Sequence, residues 1–193
     1  MYACGLSAMA YSCDTGKIRK CFRNLGYDYD AVANEPFYRK DGTGDTATFW
    51  IAKKQVHDDT VLITVLIRGT DGKEWFDNFE SGTDELHAGF ERGCNCVYDA
   101  LSKYIADCGL AGKSVKMLVT GHSRGAAVAN LLGHKLNSEG INGIALDNHN
   151  LSVYTFATPN VVRRNSSLEL NIFNIVNPED FVTKVMPSED RKS

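Results

Sequence analysis

Val115-Lys116-Met117-Leu118-Val119-Thr120-Gly121-His122-Ser123-Arg124-Gly125-Ala126-Ala127-Val128 is the stretch on which the fold turns. Val115 to Thr120 has the apolar content of a buried strand. A helix is expected to start just after Ser123 and to reach about Asn137. Between them stands only a G-x-S-x-G, so the turn from strand to helix has to be tight. Glycines two before and two after the serine remove side chains that would clash with the strand and the helix. The serine itself is then expected in a strained backbone conformation. The helix start points positive partial charge at it, which favours an oxyanion there. This is the setting a nucleophile elbow needs, and Ser123 is the candidate nucleophile. The alternative is a glycine-rich turn whose serine merely caps the helix.

The neighbouring segments extend the pattern. Downstream, Leu151 to Phe156 and Asn171 to Val176 are expected strands. Upstream, a long helix is expected from about Ala88 to Asp107. Phe90, Cys94, Val97, Leu101, Tyr104 and Ile105 draw its apolar stripe, and Gly109 ends it. Thr60 to Ile67 is a nearly continuous run of β-branched residues and leucine that suits a strand covered on both faces. Thr46 to Gln55 is a second strand, joined to it as a hairpin through His57-Asp58-Asp59. Two short helices are expected first, over about Ala3 to Ser12 and Lys17 to Leu25, with Gly26 as a C′ cap. Gly69 to Gly72 is expected to be a loop, and Trp75 to Phe79 a helical turn. Strands alternating with helices in the second half predict a mixed, mostly parallel sheet with helices on both faces.

Composition sets limits on the rest. The 193 residues suit a single domain over 1–193, and 43% apolar with 23% charged residues is ordinary globular usage. A net charge of -3 gives no electrostatic case for nucleic acid. No apolar run is long enough for a transmembrane helix. The first ten residues lack a basic start, so no signal peptide is expected, and the location is read as cytoplasmic or unknown. The six cysteines include no C-x-x-C pair, so no metal site is expected. They are read as free, mostly buried thiols. Oligomeric state is not readable.

Several further segments resemble one family in order along the chain. They are Ile67-Arg68-Gly69-Thr70, Glu74-Trp75-Phe76-Asp77-Asn78-Phe79, His87-Ala88-Gly89-Phe90, the elbow, Tyr154-Thr155-Phe156-Ala157-Thr158-Pro159 and Asn174 to Val182. From about Leu6 to Pro187 the sequence resembles the fungal-type class 3 lipases of the α/β-hydrolase superfamily. The resemblance implies an α/β-hydrolase fold and an ester-cleaving serine hydrolase without metal or organic cofactor. It implies Ser123 as nucleophile and Asp180 as the acidic triad member. The oxyanion hole would be the N–H groups of Arg124 and Thr70, with the Thr70 hydroxyl as a further donor. Without the resemblance, Asp180 would be read as a turn or helix-capping aspartate after Pro178.

Trp75, Phe76 and Phe79 are three large aromatics within five residues. They are read as a lid or acyl-pocket wall meeting lipid or ester chains, or else as anchors against the long helix. His122, beside the nucleophile, is grouped with them on the substrate side, although its side chain should point away from Ser123. Asp77, Glu80, Asp84 and Glu85 make this region acidic, which favours neutral acylglycerols or short-chain esters. Transient contact with a lipid interface is compatible with it.

One departure is sharp. The α/β-hydrolase order is serine, acid, histidine, and no histidine follows Asp180. All five, His57, His87, His122, His134 and His149, come earlier. Each has a structural reading, with His149 the least implausible substitute base. The expectation is a C-terminally truncated domain whose catalytic histidine is encoded beyond Ser193. The alternatives are a catalytically deficient protein that binds acyl ligands or a protein partner, and a peptidase or thioesterase on the same fold.

Overall fold

A computed structural model describes residues 2–10, 15–28, 33–37, 47–69, 83–110, 112–158 and 171–175. Two short helices lead, α1 (Tyr2–Met9) and α2 (Thr15–Asn24). Strands β1 (Ala33–Phe37), β2 (Ala47–His57) and β3 (Thr60–Ile67) follow. Then come α3 (Thr83–Asp107), β4 (Ser114–His122), α4 (Arg124–Glu139), β5 (Leu151–Phe156) and β6 (Ile172–Ile175). One sheet holds the strands in sequence order, β1 to β6. β1–β2 and β2–β3 pair antiparallel; β3–β4, β4–β5 and β5–β6 pair parallel.

The nearly continuous apolar run of β3 is explained by what lies on each side of it. Val61, Ile63, Val65 and Ile67 join the larger core, with Phe90, Val97 and Leu101 of α3 and Ala127, Val128 and Leu132 of α4. Leu66, and the partly buried Leu62, face a second core made by Leu6 and Ala10 of the first helix region, Ile18 and Phe22 of α2, and Trp50. Helices therefore cover both faces, and a strand in the middle has no polar side to show. Two threonines interrupt the second core, and both are paired. Thr64 bonds the Tyr27 hydroxyl at 2.5 Å. Thr120 meets the Ser7 hydroxyl at 2.8 Å and donates to the Tyr154 carbonyl at 2.8 Å.

Helix ends follow the expected glycines. Gly26 has φ 79°, its N–H reaches the Arg23 carbonyl at 2.9 Å, and Tyr27 N–H reaches the Phe22 carbonyl at 3.0 Å. This is a Schellman closure of α2, with the Tyr27 ring edge-on to Phe22 at 5.1 Å as its apolar clasp. Gly109 and Leu110 close α3 by the same pair of bonds, to Ala106 and Ile105.

Some expectations need correction. α3 begins at Thr83, more than a turn before Ala88. The sequence carries no signal for β1, because Asn34 and Pro36 argue against a strand; Pro36 is tolerated since β1 is the outermost strand among the described residues. The thiols are free among the described residues but not mostly buried. Cys94 is buried, Cys21, Cys96 and Cys108 are half-buried, and Cys4 is exposed. The helical turn expected over Trp75 to Phe79 lies outside the described residues.

Candidate active site

β4 ends at His122 and α4 opens at Arg124, so Ser123 alone turns the chain. It does so at φ 54° and ψ -125°, a conformation that side-chain-bearing residues rarely hold. Its side chain makes no capping hydrogen bond to the helix. That sets aside the reading of Ser123 as a helix cap, which would need extended backbone and a bonded oxygen. The residue is half-buried. Its carbonyl accepts from Ala126 N–H at 2.9 Å and Ala127 N–H at 3.2 Å, and its own N–H donates to the Phe156 carbonyl at 2.9 Å.

The two glycines have separate tasks. A Cβ on Gly121 would stand 2.3 Å from the Gly125 carbonyl oxygen, inside the first turn of α4. A Cβ on Gly125 would stand 2.5 Å from the Ile67 oxygen and 2.7 Å from the Arg68 carbonyl carbon. The first lets strand and helix fold back on each other. The second lets the helix start rest on the end of β3. Three neighbouring strand ends, β3, β4 and β5, thus meet beneath the serine.

Arg124 is the first residue of α4, so its N–H belongs to the turn whose amides point out along the helix axis. The chain leaving β3 passes Gly125 at Arg68 and continues through buried Gly69. Thr70, the next residue, lies outside the described residues, as do Trp75, Phe76, Phe79 and Asp180. Alternation along β4 puts His122 on the α1 face with Thr120 and away from the α4 face.

The remaining histidines sort by strand direction. His149 precedes β5, while Phe156, beside Ser123, ends it. Five steps of strand make that about 17 Å. His57 pairs with Thr60, seven steps or about 23 Å from Ile67 at the site end. His134 lies ten residues along α4 from Arg124, about 15 Å, and burial holds its imidazole below the ordinary value. His149 is therefore not a substitute base for Ser123. His87 lies near the start of α3; its side chain lies outside the described residues.

A feature with no sequence signal sits under α4. Asn130, on the helix, donates its Nδ2 to Asn174 Oδ1 of β6 at 2.9 Å. The Thr155 hydroxyl of β5 donates to that same oxygen at 2.5 Å, and the Thr158 hydroxyl donates to Thr155 Oγ1 at 2.8 Å. Among the described residues no group of His, Cys, Asp and Glu could hold a metal ion, and no helix is long and apolar enough to cross a membrane.

A mixed sheet, helices on both faces and a strained serine between a strand and a helix define the α/β-hydrolase class. The chain belongs to the lipase (class 3) family, whose model matches residues 64–189. No curated protein matches it significantly. Among solved structures it is similar to the Rhizomucor miehei lipase in its propeptide complex, with TM-score 0.62, 22% identity, and coverage of 96% of this chain and 62% of that one. The lipase of Rhizopus microsporus var. chinensis gives TM-score 0.61, 24% identity and coverage of 96% and 67%. A triacylglycerol lipase described as having a serine protease triad as its catalytic centre gives TM-score 0.54, 21% identity and coverage of 80% and 58%. The chain thus spans 58% to 67% of the length of these three lipases.

Proposed function

We propose that this chain cleaves carboxylic esters through an acyl-enzyme on Ser123. The observation that carries the proposal is the backbone of Ser123, held at φ 54° with its side chain unused by the helix it precedes. Strain of this kind costs stability, of order 1–3 kcal/mol, and a turn with only a structural task would be served by glycine. The Ser123 hydroxyl attacks the ester carbonyl. The carbonyl oxygen becomes an oxyanion and is held by the N–H of Arg124 and, from the loop after β3, by Thr70. Collapse expels the alcohol, and water then releases the acid. Asp180, in the segment after β6, orients the base and stabilises its cation. Trp75, Phe76 and Phe79 form the acyl-side wall. Neutral acylglycerols or short-chain esters are the substrate class. Family membership and the triad described for a similar triacylglycerol lipase support this reading.

The reading needs a histidine base. His57, His134 and His149 are far from Ser123, His122 falls on the other sheet face, and His87 stands in the H-x-G-F segment, which we read as non-catalytic. We propose that the base is supplied by sequence beyond Asp180 in a longer chain. A second reading, a binder of acyl ligands with little turnover, draws on the same observation.

Imidazole rescue separates the two. Hydrolysis of p-nitrophenyl butyrate is measured with and without added imidazole, beside Ser123→Ala. Imidazole-dependent turnover above that of Ser123→Ala supports the serine mechanism with an absent base. Identical rates for both proteins, with saturable ester binding, support the binder.

A further inference from the structure

The Asn130 amide is in the wrong place for stability alone. The residue is 4% exposed, yet its Oδ1 has no hydrogen-bond partner among the described residues. A buried acceptor left unpaired costs free energy. Leucine, which α4 already uses at positions 131, 132 and 136, would fill the space without an orphaned oxygen. What the amide gives instead is geometry. One oxygen, Asn174 Oδ1, gathers a donor from α4 and a donor from β5 while belonging to β6. Seven residues before Asn130, α4 is preceded by Ser123. Six residues after Asn174, the sequence reaches Asp180. The backbone adds one more tie at this level, Ala157 N–H to the Ile175 carbonyl at 3.1 Å.

We propose that Asn130 and Asn174 are positioning residues that set the helix carrying Ser123 against the strand leading to Asp180. The proposal rests on the assignment of Ser123 as nucleophile. The pair fixes α4 in rotation and height over β5 and β6, a degree of freedom that apolar packing alone leaves looser. It acts through the elbow and the acid-bearing segment and does not touch the ester.

The network makes an asymmetric prediction for one chemical change. Asn174 uses only its carbonyl oxygen here and is an exposed residue. Asn174→Asp therefore keeps the acceptor, whereas Asn174→Leu removes it. Asn130→Asp replaces a donor by a carboxylate facing Asn174 Oδ1. Labelling of Ser123 by a fluorophosphonate probe in the presence of imidazole is followed by intact mass, with a urea melt of each variant. Wild type and Asn174→Asp are expected to label within about twofold of each other, and Asn174→Leu and Asn130→Asp about tenfold more slowly, through the rate at saturating probe and not through probe affinity. If Asn130→Asp fails to fold, Asn174→Leu, at an exposed position, carries the test. Equal saturating rates for wild type, Asn174→Asp and Asn174→Leu would overturn the positioning role alone. No labelling of Ser123 in the wild type would remove the nucleophile assignment and the positioning role with it.

Discussion

The N–H of Ser123, one step past the last paired residue of β4, donates at 2.9 Å to the carbonyl of Phe156, the last paired residue of β5. The parallel ladder thus continues into the turn, and the candidate nucleophile hangs from the sheet. A serine in a loop would drift with the loop. This one moves only if β4 and β5 part.

The glycines of the elbow are the first test of that geometry. Gly125→Ala forces a methyl to 2.5 Å from the Ile67 oxygen, a backbone atom that cannot rotate away. A loss of about 2–3 kcal/mol in a urea melt is expected, the upper part of the ~1–3 kcal/mol range for overpacking. Gly26→Ala is the control, since its Cβ meets nothing within 4 Å and only φ 79° opposes it. There the expected loss is about 1 kcal/mol. Equal losses at the two sites would mean that the helix start does not rest on β3.

Ser123→Gly should separate stability from reactivity. Glycine holds φ 54° without strain, so the variant should lose imidazole-supported turnover and gain about 1 kcal/mol of stability. Ser123→Ala should lose turnover with unchanged stability. A glycine variant less stable than wild type would argue that the serine conformation is relaxed.

Alkaline pH should weaken the fold through Cys94 and Tyr104. Burial pushes the Cys94 thiol up to about 11, while Lys135 opposes the shift. Burial, and next the neighbouring Cys108, pushes the Tyr104 phenol upward too. Each group holds its proton more tightly folded than unfolded. Stability is then complete below the unfolded thiol value of 9.0 and declines as pH rises through about 11. The Cys94 share is on the order of 2 kcal/mol. Cys94→Ala should flatten the decline in melts between pH 8 and 11, and an unchanged slope would assign the loss elsewhere.

His57, His134 and His149 should each be replaceable by alanine without effect on turnover, with or without imidazole. Their places in the fold put them about 15 Å or more from the elbow. A hundredfold loss in any of the three would show that one of them acts as base and that the strand directions have been misassigned.

Much of this was legible because periodicity and punctuation agree. Thr60–Ile67 and Leu151–Phe156 have the bounds that their apolar runs predict. Gly26 and Gly109 close helices where the apolar stripes end. The elbow glycines do what their spacing implies. What the sequence hid has physical reasons. Ala33–Phe37 contains asparagine and proline, and it becomes a strand only because β2 offers a free edge. Asn130 and Asn174 are 44 residues apart, each ordinary in its own element, and only parallel pairing of β5 with β6 brings them together. The failure of His149 as a base follows from the direction of β5, which local pattern does not encode.

Pro36 has one further effect. Among the described residues β1 forms one margin of the sheet, and a proline nitrogen cannot donate a hydrogen bond. A strand from a second molecule laid along that margin would meet, at the fourth of five residues, one with no N–H to offer. Partly folded chains at high concentration would then be discouraged from stacking there into insoluble ribbons.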